Sequence, residues 1–148
     1  MTQQLFRTLF IKNMNATRYR RKMAEILFSR LWLDRIIGKD EQLEIYLSSI
    51  NFAQNVNGVI QAIRYFYGNN HINLTKAQSF VLAERVAMIV SNELRPRIVV
   101  LLKELKELKN DNTLSEQDIK EVTTIYNNLI KQGKVKNNEK IIKEMKNI

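Results

Sequence analysis

Apolar residues recur at steps of three and four along most of this chain, and that spacing commits it to helices. Between Arg18 and Ile37 they fall at Ala24, Leu27, Phe28, Leu31, Trp32 and Ile36, one face of a helix that Gly38 would stop. Asp40 and Glu41 stand where carboxylates suit the positive end of a following helix, which carries Leu43, Tyr46, Leu47 and Ile50. Asn55 to Gly58 reads as a turn, and Val59, Ala62, Ile63 and Phe66 mark a helix ending near Gly68. Thr75 can cap an apolar helix through about Ser91, and Pro96 suits the first turn of the next, Ile98 to Leu108. After a polar turn at Lys109 to Asn112, Ser115 and Asp118 fit a capping box that opens a helix to about Ile130, with Gly133 as its break. The last segment, with Ile141, Ile142 and Met145, is expected to be a weakly held helix or disordered. Four glycines and one proline in 148 residues leave little room for hairpins, so the expected class is all-α without strands.

Composition removes several kinds of chemistry. There is no cysteine, which excludes disulfides, zinc-thiolate sites and a cysteine nucleophile. The single histidine, His71, excludes a multi-histidine metal centre within one chain. It lies among Asn69, Asn70 and Asn73 and reads as an exposed loop residue rather than a proton shuttle. No apolar run approaches the roughly 18 residues of a membrane span, and Gln3, Gln4 and Arg7 interrupt anything resembling a signal peptide. The formal net charge of +9 is uneven: residues 1–40 carry nine Lys/Arg against three Asp/Glu, whereas residues 99–148 carry ten against eight. A polyanion, phosphate or anionic membrane would therefore be drawn to the first quarter. The Lys/Asn-rich tail is nearly balanced and has no aromatic interleaving beyond Tyr126, so no nucleic-acid partner is expected.

Within that basic quarter, Arg18, Arg21, Lys22 and Glu25 share one helix face, a carboxylate beside three cations. Such a carboxylate stays ionised and makes a poor general acid. It can orient the cations, hold a water or bind a metal–phosphate group, and the cations favour a diphosphate. Spacing alone equally allows a solvated face whose Arg21–Glu25 pair contributes only about 0.3–0.5 kcal/mol. Leu5, Phe6, Leu9, Phe10 and Ile11, flanked by Arg7 and Lys12, fit either interfacial insertion or a buried helix. Trp32 with Phe28 and Leu31 reads as core or membrane-facing surface.

The order of short motifs carries a resemblance. Thr2-Gln3-Gln4-Leu5, then Arg21-Lys22-Met23-Ala24-Glu25, then Lys39-Asp40-Glu41-Gln42-Leu43-Glu44-Ile45-Tyr46-Leu47 resemble T-Q-Q-L-x-K-N, R-K-x-x-E and K-D-x-I-L-E-x-Y-L-N of the peptidoglycan glycosyltransferases. This is the family 51 domain of class A penicillin-binding proteins and monofunctional transglycosylases. Gly58-Val59-Ile60-Gln61-Ala62, Tyr65-Phe66-Tyr67-Gly68 and Leu74-Thr75 resemble its later motifs, so the resemblance covers residues 1–98, with 99–148 as a helical Lys/Asn-rich extension. Arg7 stands for the family's lysine, Ser48 for an asparagine, Asn57 for a tyrosine, and Gln78 where glutamate is preferred. Asn69 stands for a lysine, with Tyr67 as an extra residue.

The resemblance implies a lysozyme-like helical domain, incomplete at its N-terminus. The family polymerises lipid II into glycan strands with inversion, undecaprenyl diphosphate leaving, at the outer face of the cytoplasmic membrane. Carried over, Gln3, Gln4, Arg7, Arg18, Arg21 and Lys22 would contact the lipid-linked diphosphate, and Glu25 would be the family's second glutamate. The first glutamate motif, E-D-x-x-F-x-x-H-x-G, is absent from the sequence. Its absence opens an alternative, an inactive helical protein that binds the lipid-linked diphosphate, an anionic membrane surface or a cell-wall synthesis partner. No cofactor is required, though a divalent cation could accompany the diphosphate.

Overall fold

A computed structural model of the chain describes residues 2–6, 9, 17–68, 73–86, 92–108 and 114–148, with the side chains of Gln4 and Phe6 outside that set. The chain divides into two compact units, residues 1–50 with 57–59 and residues 51–56 with 60–148. Helices dominate both, as the apolar spacing requires. Among the described residues no helix is long and apolar enough to cross a membrane.

The first unit contains α1 (Thr2–Phe6), α2 (Arg18–Phe28), a π-helical turn (Ser29–Leu33), α3 (Asp34–Ile36) and α4 (Lys39–Ser49). α2, the π turn and α3 form one continuous helical run, ended by extended backbone at Ile37 before Gly38. Its inward positions are Glu25, Ser29 and Leu33, one every fourth residue. Four residues of α-helix overshoot a full turn by about 40°. The wider π turn removes that drift and keeps the three in one line. Gly38 then opens α4, its N–H donating to Glu41 Oε2 at 3.0 Å. That is the acid-rich start expected from Asp40 and Glu41.

The apolar spacing located this helix but misplaced its inner face. Leu27, Phe28, Leu31, Trp32 and Ile36 are all exposed, Leu31 by 58% and Ile36 by 63%. The residues turned inward include Thr2, Glu25, Ser29 and Gln42 together with Leu5, Leu33 and Ile50. Polar groups can occupy that interior only because they bond one another.

The second unit begins with a hairpin that the turn-rich sequence disguised. β1 (Asn51–Ala53) pairs with β2 (Val56–Asn57), and Phe52 and Val56 are its buried residues. Asn55 takes φ +62° in the turn. Gly58 follows at φ +78°, where a Cβ would lie 2.6 Å from Ser48 O. Its N–H donates to Ile50 O at 2.8 Å. Both the left-handed backbone and the close approach demand glycine.

Then come α5 (Val59–Tyr67), α6 (Lys76–Val86), α7 (Arg97–Glu107), α8 (Glu116–Lys131) and α9 (Glu139–Lys146). Their starts follow local chemistry. Thr75 Oγ1 accepts from Gln78 N–H, and Gln78 Oε1 accepts from Thr75 N–H. Glutamine thus completes the reciprocal cap in place of glutamate. Ser115 and Asp118 close the same box on α8, and those hydrogen bonds from Ser115 lower the Asp118 carboxyl. Gly133 ends α8 at φ +69°. α9 is a packed helix rather than a loose end, since Ile141, Ile142 and Met145 are buried. It packs on α7 and α8.

The core of this unit is conventional, with Ala62, Ile63, Phe66, Val81, Leu102, Val122 and Leu129 among its members. Each large apolar side chain buried contributes about 1.5–3 kcal/mol. One charged pair is enclosed with them. Arg85 Nε donates to Glu84 Oε2 at 2.9 Å, and Tyr126 Oη donates to the same oxygen at 2.5 Å. The Arg85 guanidinium also faces the Tyr126 ring, 5.8 Å from its centre. This ties α6 to α8.

Candidate functional site

The four-charge face is built on α2, and its carboxylate is not solvated. Glu25 is 1% exposed. Lys22 Nζ lies 3.4 Å from Glu25 Oε2 at the i,i+3 position, and Arg21 Nε lies 3.8 Å from Oε1 at i,i+4. Lys22 remains 54% exposed and Arg21 43%, so both cations reach solvent from a buried acceptor. A buried carboxylate has little water to replace a lost cation, so it fixes where the two positive groups sit.

α1 supplies the second wall. Lys22 Nζ also donates to Gln3 Oε1 at 3.2 Å. The ammonium is therefore held from two sides, by an amide oxygen and a carboxylate. Arg18 opens α2 one turn before Arg21 and is exposed. The structure brings Gln3, Arg21, Lys22 and Glu25 together. The Gln4 side chain and all of Arg7 lie outside the described residues, as does His71.

Behind this corner is a network that neither spacing nor motif singled out. Thr2 Oγ1 lies 2.8 Å from both Asp34 Oδ1 and Gln42 Oε1. Lys39 Nζ donates to Thr2 Oγ1 at 3.0 Å and also bonds Asp34 Oδ1. Gln42 Nε2 donates to Ile37 O at 2.8 Å and to Asp34 Oδ1 at 3.3 Å. Hydrogen bonds from Lys39 and then Thr2 hold the Asp34 carboxyl down at about 2. The sequence signal was present in part, because Thr2 and Lys39 head two of the quoted motifs.

Chemically, the α1–α2 corner offers fixed positive charge to an anion. Glu25 already accepts from cations and is suited to orienting them. A cleft of about 580 Å³ lies between α8 and α9, lined in part by Lys120, Thr124, Asn127 and Lys146. It carries none of the quoted motifs. Among the described residues no cluster of three or more histidine, aspartate or glutamate side chains could hold a metal ion.

Comparison with known proteins follows the motif order. A biosynthetic peptidoglycan transglycosylase of Acinetobacter baumannii is 34% identical over 85 residues, which is 56% of this chain and 36% of that protein. One from Paraburkholderia phytofirmans is 36% identical over 83 residues, 56% of this chain and 33% of that protein. One from Bordetella avium is 31% identical over 83 residues, with the same coverage. The chain thus spans about a third of the length of these curated relatives, at 33% to 36%. No solved structure matches it. The transglycosylase family model matches residues 1–95, which include the whole α1–α2 corner, and the chain belongs to that family.

Proposed function

We propose that this chain is part of a peptidoglycan glycosyltransferase and that its α1–α2 corner holds the diphosphate of a lipid-linked donor. The observation that carries this reading is the buried Glu25 with Arg21, Lys22 and Gln3 around it. Arg21 and Lys22 bind the diphosphate, Arg18 extends the positive field, and Gln3, Gln4 and Arg7 complete the wall. Glu25 orients the cations and donates no proton. The reaction served is the polymerisation of lipid II, with undecaprenyl diphosphate leaving. Residues 1–98 form the glycosyltransferase part and residues 99–148 an extension.

A membrane surface fits the same unit. Tyr19, Met23, Leu27, Leu31 and Trp32 form an exposed apolar stripe along α2 and the π turn, with Arg18, Arg20, Arg30 and Arg35 beside it. Apolar insertion flanked by cations is how an amphipathic helix lies on anionic lipid. This supports work at the outer face of the cytoplasmic membrane, alongside other cell-wall synthesis proteins.

The 148 residues contain no E-D-x-x-F-x-x-H-x-G motif. That favours a second reading, a chain that binds the lipid-linked diphosphate without turning it over. The two separate in one preparation. Titration with undecaprenyl diphosphate in detergent should show binding that falls about tenfold or more in Lys22→Gln, the loss of one charge-assisted contact. Binding unchanged in Lys22→Gln and Arg21→Gln would refute the anion site. Incubation with lipid II should yield no glycan; polymer made by the purified chain would overturn the inactive reading.

A further inference from the structure

Thr2, Asp34, Lys39 and Gln42 form a closed polar latch, and its geometry links residues up to 40 positions apart. The Gln42 side chain is the unexpected member. It is fully buried, at a position where the motif quoted above carries isoleucine. Burying an amide in an apolar slot is costly unless both its ends are bonded. Here Nε2 is bonded to Ile37 O and Asp34, and Oε1 meets the Thr2 hydroxyl. No buried side-chain nitrogen or oxygen lacks a partner among the described residues.

All of these bonds converge on one oxygen. Asp34 Oδ1 receives Lys39, Thr2 and Gln42. Thr2 is the first residue of α1, and Gln3 follows it directly. Leu5, fully buried, is the apolar anchor of the same short helix. A five-residue helix has almost no stability of its own. Its position is therefore dictated by what grips Thr2 and Leu5.

We propose that Asp34, through Thr2 and Gln42, is a positioning residue that holds α1 so that the Gln3 amide oxygen keeps the Lys22 ammonium beside Glu25. Asp34 touches none of Gln3, Lys22 or Glu25 in the described contacts; it acts through Thr2. The bearing of this latch on anion binding rests on the function proposed above, whereas the latch itself does not.

The chain has no cysteine, so a nitroxide placed at Gln4→Cys reports α1 alone. In the otherwise unaltered chain its spectrum should be that of a restrained label. Asp34→Ala should mobilise it, and Asp34→Glu, which keeps the carboxylate, should restore restraint. Thr2→Val preserves bulk and removes only the hydroxyl, so it repeats the test should Asp34→Ala fail to fold. A label equally restrained in Asp34→Ala and Thr2→Val overturns the proposal. Inorganic diphosphate is then titrated into label-free protein. Affinity should fall roughly tenfold in Asp34→Ala, as expected when a charged donor loses one of its two anchors. Loss of binding in Lys22→Gln with none in Asp34→Ala also overturns the positioning role. An unaltered chain that binds no diphosphate refutes the anion site instead, and the label then decides the latch by itself.

Discussion

The two units of this chain treat their hydrophobic residues in opposite ways. In the second, α5–α9 turn Ile63, Phe66, Val81, Leu102, Val122 and Leu129 inward, and a single charged pair is enclosed with them. In the first, α2 and the π turn present Leu27, Leu31 and Trp32 outward while Thr2, Glu25, Ser29 and Gln42 are buried. A surface that leaves large apolar side chains in a continuous stripe is organised for contact with something else. An interior of bonded polar groups gains less from burial and more from fixed geometry. The second unit is held together by exclusion of water, the first by directed bonds around an anion-attracting corner.

The sharpest way to break this contrast is to attack the polar exception in the apolar unit. Arg85→Met leaves Glu84 buried without its cation and should cost about 3–5 kcal/mol, read as a lowered urea midpoint. A loss below 1 kcal/mol would mean the pair contributes no more than a surface one. Next is Gly58→Ala, which meets both a positive φ and the Ser48 carbonyl. It should cost about 1–3 kcal/mol by the same measurement, and a neutral result would rule out the close approach.

Alkali offers a gentler probe. Burial first, then the Glu84 charge, pushes the Tyr126 hydroxyl well above its ordinary value. Tyr67 is pushed up by burial and by Glu121, and Tyr46 in the first unit by burial. A pKa raised on folding gives stability that is full below the unfolded value and lost as pH climbs past it. Stability should therefore decline above about pH 10. Tyr126→Phe, costing roughly 1–2 kcal/mol at neutral pH, should flatten much of that decline. Acid works in the opposite direction through Asp34, held at about 2. Its contribution is present above the unfolded value near 4 and disappears as pH falls towards 2. The smallest expected effect sharpens the comparison most. Leu31→Ser should change stability by no more than about 0.5 kcal/mol, yet weaken binding to vesicles containing anionic lipid. A large stability loss would show that the stripe is core after all.

What the sequence revealed was chiefly local. Helix starts at Gly38, Thr75 and Ser115 were legible because each cap involves residues three apart. The charged cluster was legible because Arg21, Lys22 and Glu25 share one turn of helix. Which side of α2 faces inward was not, since an apolar stripe looks the same whether it meets a core or a membrane. The burial of Glu25 depends on α1, which follows no spacing within α2. Tyr126 and Glu84 are 42 residues apart, so nothing short-range announced their bond. The hairpin was hidden because strands of three and two residues carry too few alternations to read.

The π turn gives the first unit an unusual genetic fragility. Loss of a single codon within residues 29–33 would return the run to an ordinary α-helix and rotate everything after it by about 100° relative to α2. Asp34 would then leave Thr2, and the aromatic and aliphatic residues beyond the deletion would exchange their surroundings. One missing residue, leaving composition and charge almost untouched, would dismantle both the corner and the outward stripe.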